Sequence, residues 1–162
     1  MNFRNIVWGG AVALAVVASA SAWERKPLPA FSVTTVEGAA VESTSLAAPG
    51  TWLLVHVQPR CTPCDTLLAH IGSDERAVAD RITVIGSGMD GAAMETLAAK
   101  YPELAASRWL ADPERRSAAA LGIEAGPTVF GLRQRMIEWR LAGSVRGERE
   151  LESMLFTWLE KR

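Results

Sequence analysis

The sequence predicts an α/β domain in which helices flank a mixed central sheet, with a β-hairpin extension at the N-terminal side. Three observations point there. Apolar runs of strand length alternate with stretches whose apolar residues recur at helical spacing. The last third carries two strands around a tight turn, followed by an amphipathic helix. Finally, Cys61-Thr62-Pro63-Cys64 stands where an apolar strand hands over to a helix.

Taken in order, Phe31–Val36 and Ala40–Glu42 flank Glu37-Gly38, which reads as a hairpin. Ala48-Pro49-Gly50 is a turn, and Thr51–Gln58 is the first buried strand. From Cys64, Leu67, Leu68 and Ile71 follow at spacings of three, four and seven, so a helix runs from Cys61 to near Gly72. Asp74–Asp80 suggests a second helical piece. Arg81–Ile85 is a β-branched strand closed by Gly86-Ser87-Gly88. Met94–Lys100 predicts a helix that stops before Pro102, and Ser107–Leu110 a short strand. Asp112-Pro113 reads as an N-cap and first helical residue, opening a helix that runs to Gly122. Pro127–Phe130 and Met136–Leu141 are strands around Arg133-Gln134-Arg135. Leu151, Met154, Leu155, Trp158 and Leu159 mark the closing helix.

Length and composition fit one globular domain: 162 residues, 49% hydrophobic and 22% charged, with a net charge of −1. No basic stripe recommends a nucleic acid as partner. Residues 1–22 differ in kind. A short start bearing Arg4 precedes an apolar stretch from Ile6 to Ala18, and Ala20-Ser21-Ala22 has the small-residue pattern of a cleavage site. This reads as an export signal. The alternative is an anchor retained in the inner membrane over residues 6–23. Arg25 and Lys26 would then lie on the exported side, against the positive-inside tendency, which favours cleavage. Either way the chain is read as exported, periplasmic in a bacterium, with residues 23–30 a linker and 31–162 the folded domain.

Cys61 and Cys64 are the only cysteines in the chain. In an exported protein such a pair can persist as a disulfide. Yet so short a loop removes little entropy from the unfolded chain and makes a poor staple. A zinc site needs four ligands, and only His56, His70 and Asp65 are near enough in sequence to supplement the pair. Redox chemistry explains the placement better. Cys61 at the helix start is accessible and meets free backbone N–H groups and the positive end of the helix dipole, which favour its thiolate. Arg60 adds positive charge if its side chain folds toward the sulfur. Cys64 lies on the core-facing stripe and suits the resolving role. Pro63 lacks an N–H, which costs nothing in a first helical turn, and it stiffens the loop. No cofactor beyond the cysteine pair is expected. By itself, Ala125-Gly126-Pro127-Thr128 is a turn leading into a strand.

Together these residues resemble the thioredoxin superfamily over about residues 29–160. The likeness is greatest to the exported branch that includes the TlpA, ResA and CcmG proteins. It is carried by the Glu37-Gly38 hairpin, the strand Trp52–Gln58, the Cys61–Cys64 motif, Gly126-Pro127-Thr128 and the closing hairpin with Gly143. Gly143-Ser144 with Arg149–Ser153 is also loosely similar to MauD-type proteins. The resemblance implies a thioredoxin fold and a cis Pro127 beside the cysteines. It also implies that Gly126 hydrogen-bonds an extended partner peptide. Arg60, Thr62 and Pro63, in and beside the motif, are read as tuning the pair. Two positions depart from the pattern. Arg60 replaces the usual aromatic residue before the first cysteine, and Val55 replaces the buried acid six residues before it, with His56 following.

The reading is therefore an exported thiol–disulfide oxidoreductase. It would exchange electrons with a specific client, such as an apocytochrome c or another redox-enzyme precursor, and with an upstream donor or acceptor protein. Reduction of the client is the expected direction. The alternatives are a non-catalytic binding or chaperone module, and a metallochaperone.

Overall fold

The computed structural model describes residues 25–46, 50–73, 79–143 and 148–160. The expected signal or anchor lies outside them, as do most of the Asp74–Asp80 segment and the turn at Ala48-Pro49. No helix among the described residues is long and apolar enough to cross a membrane.

Among the described residues eight strands form one sheet: β1 Lys26–Pro27, β2 Ser32–Thr35, β3 Ala40–Glu42, β4 Thr51–Val57, β5 Ile82–Ser87, β6 Arg108–Asp112, β7 Thr128–Arg133 and β8 Met136–Ala142. Their order across the sheet is β1-β8-β7-β4-β5-β6-β2-β3. The β4–β5 and β5–β6 pairs are parallel, and every other pair is antiparallel. Four α-helices accompany them among the described residues: α1 Thr62–Ser73, α2 Gly91–Ala98, α3 Arg116–Leu121 and α4 Glu148–Glu160. This is the thioredoxin fold, with the β2–β3 hairpin extending one edge of the sheet.

Central β4 explains the two-layered core. All seven of its residues are buried, as a strand covered on both faces must be. Leu53, Val55 and Val57 point into a cluster with Cys64, Leu67, Leu68 and Ile71 of α1, Met94 of α2 and Leu155, Phe156 and Leu159 of α4. Trp52 and Leu54 point the other way, among Leu28, Phe31, Ala118 and Leu121. Alternation along one strand thus sorts two helical layers.

Several expectations are corrected locally. β5 continues through Gly86 and Ser87 instead of closing there. A Cβ on Gly86 would stand 2.0 Å from the Met94 sulfur, so the glycine is a close-approach site for α2 and not a strand end. Asp112 ends β6, and α3 begins only at Arg116. The Asp112 carboxylate still serves that helix, accepting from the Arg116 and Ser117 N–H groups at 2.8 and 2.9 Å. α2 starts at Gly91, ahead of the expected Met94, and is capped by Asp90, whose side chain accepts from Ala93 N–H at 2.9 Å. On α4 the expected Leu155, Trp158 and Leu159 are buried, but Met154 is 39% exposed and Phe156, at 1%, joins the buried face instead. Within the expected linker, Lys26–Pro27 pair with β8 and Leu28 is buried.

Candidate functional site

Cys61 and Cys64 form a disulfide with their Cα atoms 5.2 Å apart. β4 delivers the chain to the sheet's end. Gln58, Pro59 and Arg60 then turn it, Arg60 in the left-handed region at φ 56°, and α1 begins at Thr62. The first turn is closed by backbone bonds onto the Cys61 carbonyl, from Cys64 N–H at 2.9 Å and Asp65 N–H at 3.1 Å. The Cys64 N–H also lies 3.2 Å from the Cys61 sulfur. Cys61 is half-buried and Cys64 only 3% exposed. Arg60, Thr62 and Pro63 are exposed around the pair.

Gly126 and Pro127 join the cysteines from the far side of the sequence. The Gly126–Pro127 peptide is cis. A Cβ on Gly126 would stand 3.3 Å from the Cys64 sulfur and 3.4 Å from Cγ of Gln58. Pro127 is buried, and its carbonyl accepts from the N–H of Gly143 at 2.9 Å, so the closing hairpin braces the loop. Half-buried Gly126 makes no backbone hydrogen bond among the described residues.

Beneath the pair the surroundings are apolar. Val55, at the position where an acid is usual, is fully buried in the same cluster as Cys64, Leu67 and Val129. His56 is buried on the opposite face of β4. Its Nε2 lies 3.4 Å from the Ser117 hydroxyl, which in turn donates to Asp112, and its Nδ1 has no partner among the described residues. Burial, the largest cause, pushes the His56 pKa down to about 4. Arg115 and Arg140 act in the same direction and Asp112 against them. His56 is a neutral core group of α3's layer, separated from the cysteines by the sheet. Among the described residues no three His, Cys, Asp or Glu side chains cluster as a metal site would require.

Two further residues at the site carry no signal in the sequence. Gln58 packs against the Gly126 position, and its buried Nε2 has no partner among the described residues. Tyr101, the only tyrosine of the chain, donates to the Asp65 carboxylate at 3.0 Å. Gln58 stands three residues before Cys61 in the chain, whereas Tyr101 reaches the site only through the fold.

No family model matches the chain, and no curated protein matches it. Solved structures do share its fold. A Chlorobium tepidum protein provisionally assigned as the thiol:disulfide interchange protein DsbE aligns with a TM-score of 0.64 at 18% identity, over 86% of this chain and 99% of its own. A secreted Mycobacterium tuberculosis disulfide oxidoreductase, described as homologous to the Escherichia coli DsbE, gives 0.63 at 20%, over 78% and 95%. A second C. tepidum protein, a thiol:disulfide interchange protein of the thioredoxin family, gives 0.58 at 18%, over 85% and 98%. These likenesses agree with the fold derived from the strand order.

Proposed function

We propose that this thioredoxin-fold protein is a thiol–disulfide oxidoreductase working through Cys61 and Cys64. The observation that carries the reading is the disulfide itself. One sulfur stands half-open at a helix start, and its partner is buried three residues on. The pair is thus asymmetric, as a two-step exchange requires.

In the reduced protein, the Cys61 thiolate attacks one sulfur of a client disulfide. That bond breaks, a Cys61–client disulfide forms, and the client's other sulfur leaves as a thiolate. Cys64 loses its proton to solvent and attacks the Cys61 sulfur. The Cys61–Cys64 disulfide closes, and the client leaves as a dithiol that has gained two electrons and two protons. An upstream dithiol protein restores the reduced pair by the reverse exchange. Cys64 lies in the apolar cluster beneath Cys61, placed to resolve the mixed disulfide once it has formed. An extended client segment takes its backbone hydrogen bonds from Gly126, beside cis Pro127.

Reduction is the direction we assign, with a dedicated exported client such as a redox-enzyme precursor. Support comes from the signal-like residues 1–22 and from Arg60 and Val55, which replace the aromatic residue and acid of a general thioredoxin. The solved secreted relative of similar fold agrees with export. Cys64→Ser should accumulate a client joined to Cys61, while Cys61→Ser should trap nothing. Retained turnover in either variant would refute the mechanism. A potential near about −270 mV supports a reductant; one near about −120 mV would overturn the direction.

A further inference from the structure

Asp65 stands in the first turn of α1, four residues after Cys61 and exposed. Residues so spaced are neighbours on a helix, their Cβ atoms about 5–6 Å apart. An acid in that turn is normally drawn to the helix start, where unpaired N–H groups and the positive dipole end lie. Here that same end serves the Cys61 sulfur, with the Cys64 N–H 3.2 Å away. A carboxylate there would compete with a thiolate for the same donors, and repel it.

The carboxylate does not go there. The Tyr101 hydroxyl donates to Asp65 Oδ1 at 3.0 Å and also lies 3.3 Å from the Asp65 carbonyl oxygen. A helical carbonyl points toward the helix C-terminus, so one hydroxyl holding both oxygens turns the carboxylate away from the helix start. Tyr101 is itself fixed. It is only 8% exposed, and its ring stacks on Trp109 at 6.4 Å. Burial first, then its bond and charge interaction with Asp65, push its phenol up to about 12, so it remains a donor throughout the physiological range.

We infer that Tyr101 is a positioning residue for the Cys61–Cys64 pair, holding the Asp65 carboxylate off the helix start so that this end is reserved for the Cys61 thiolate. Among the described residues, the other charged or titratable side chains on the segments meeting the pair are Arg60 ahead of α1, His70 in the last turn of α1 and Glu124 on the loop before Pro127. Gln58 is uncharged, and His56 lies across the sheet.

The inference rests on Cys61 being the attacking sulfur, and the experiment separates the two. In the reduced protein the thiolate is titrated by its ultraviolet absorbance, and the rate of Cys61 alkylation is followed with pH. Tyr101→Phe keeps the ring but frees the carboxylate, and should lower the Cys61 thiolate fraction near neutral pH by about threefold, the scale of one unit charge at this range in a wet surface. Asp65→Asn should raise it by less than that, because the carboxylate is already held away from the helix start. In the Asp65→Asn background, Tyr101→Phe should change nothing. An equal effect of Tyr101→Phe in both backgrounds, or none in either, would overturn the inference. If the coupling appears but Cys64→Ser traps no client, it is the proposed function that fails. Trapping without coupling defeats this inference alone.

Discussion

A Cβ on Gly126 would stand 3.3 Å from the Cys64 sulfur, although 62 residues separate the two in sequence. That contact makes the loop before β7 a wall of the disulfide. Gly126→Ala needs a shift of only a few tenths of an ångström, so it should form the disulfide and lose exchange rate by only a few-fold. Gly126→Val adds branching against both Cys64 and Gln58. It should lose activity by about a hundredfold, as misplacement near 1 Å can. Stopped-flow reduction of a model disulfide peptide reads both, and equal activity of the valine variant would refute the assigned role.

Stability should fall with acid because of His56. Its folded-state pKa of about 4 lies below the ordinary 6.5, so between these values the unfolded chain binds more protons than the folded one. The associated stability is complete above pH 6.5 and is lost as the pH falls through this window, by about 3 kcal/mol in all. Urea unfolding at pH 7 and pH 4.5 should show that slope. His56→Gln should lose most of it, whatever its own stability at pH 7; identical slopes would exclude His56 as the cause.

Arg81 ties the end of α4 to the central strand. Its guanidinium donates to the Thr51 carbonyl and to the Thr51 hydroxyl, each at 2.7 Å, and also to the Leu159 carbonyl. The Thr51 hydroxyl in turn donates to the Trp158 carbonyl at 2.8 Å. Arg81→Ala should cost about 1–3 kcal/mol, since part-buried acceptors lose a charged donor. Arg81→Lys should restore less than half, because one ammonium cannot reproduce the planar fork. Full rescue by lysine in thermal unfolding would contradict this geometry.

Close approach at Gly86 predicts overpacking. An added methyl would meet the Met94 sulfur at 2.0 Å, with the Met89 sulfur at 3.0 Å and its Cβ at 3.2 Å. Met94 is fully buried and has nowhere open to move. Gly86→Ala should destabilise by about 1–3 kcal/mol, and Gly86→Ala with Met94→Ala should recover part of that loss. Additive losses in the double variant would count against the contact.

Elements whose residues face one neighbour along the chain were legible. Leu67, Leu68 and Ile71 follow Cys64 at helical spacing, and all three are buried in α1. Glu37-Gly38 marked the β2–β3 turn, where Gly38 takes φ 89°. Legibility failed where a residue answers to a distant partner. Gly86 looks like a strand terminator until Met94 is packed on it. Asp112 looks like an N-cap, yet it reaches Arg116 and Ser117 from the end of β6. Met154 and Phe156 differ by two positions on α4, and only docking against the sheet decided which is buried.

The sequence by itself determined the layered α/β class, the strand–helix junction and one accessible sulfur beside one shielded sulfur. These follow from local periodicity, which the chain carries in its own order. Tertiary structure alone decided that Gly126 touches Cys64, that His56 lies across the sheet from the cysteines, and that Tyr101 draws Asp65 from the helix start. Those contacts depend on how layers stack, and burial without direction fixes their partners only once the whole sheet is assembled.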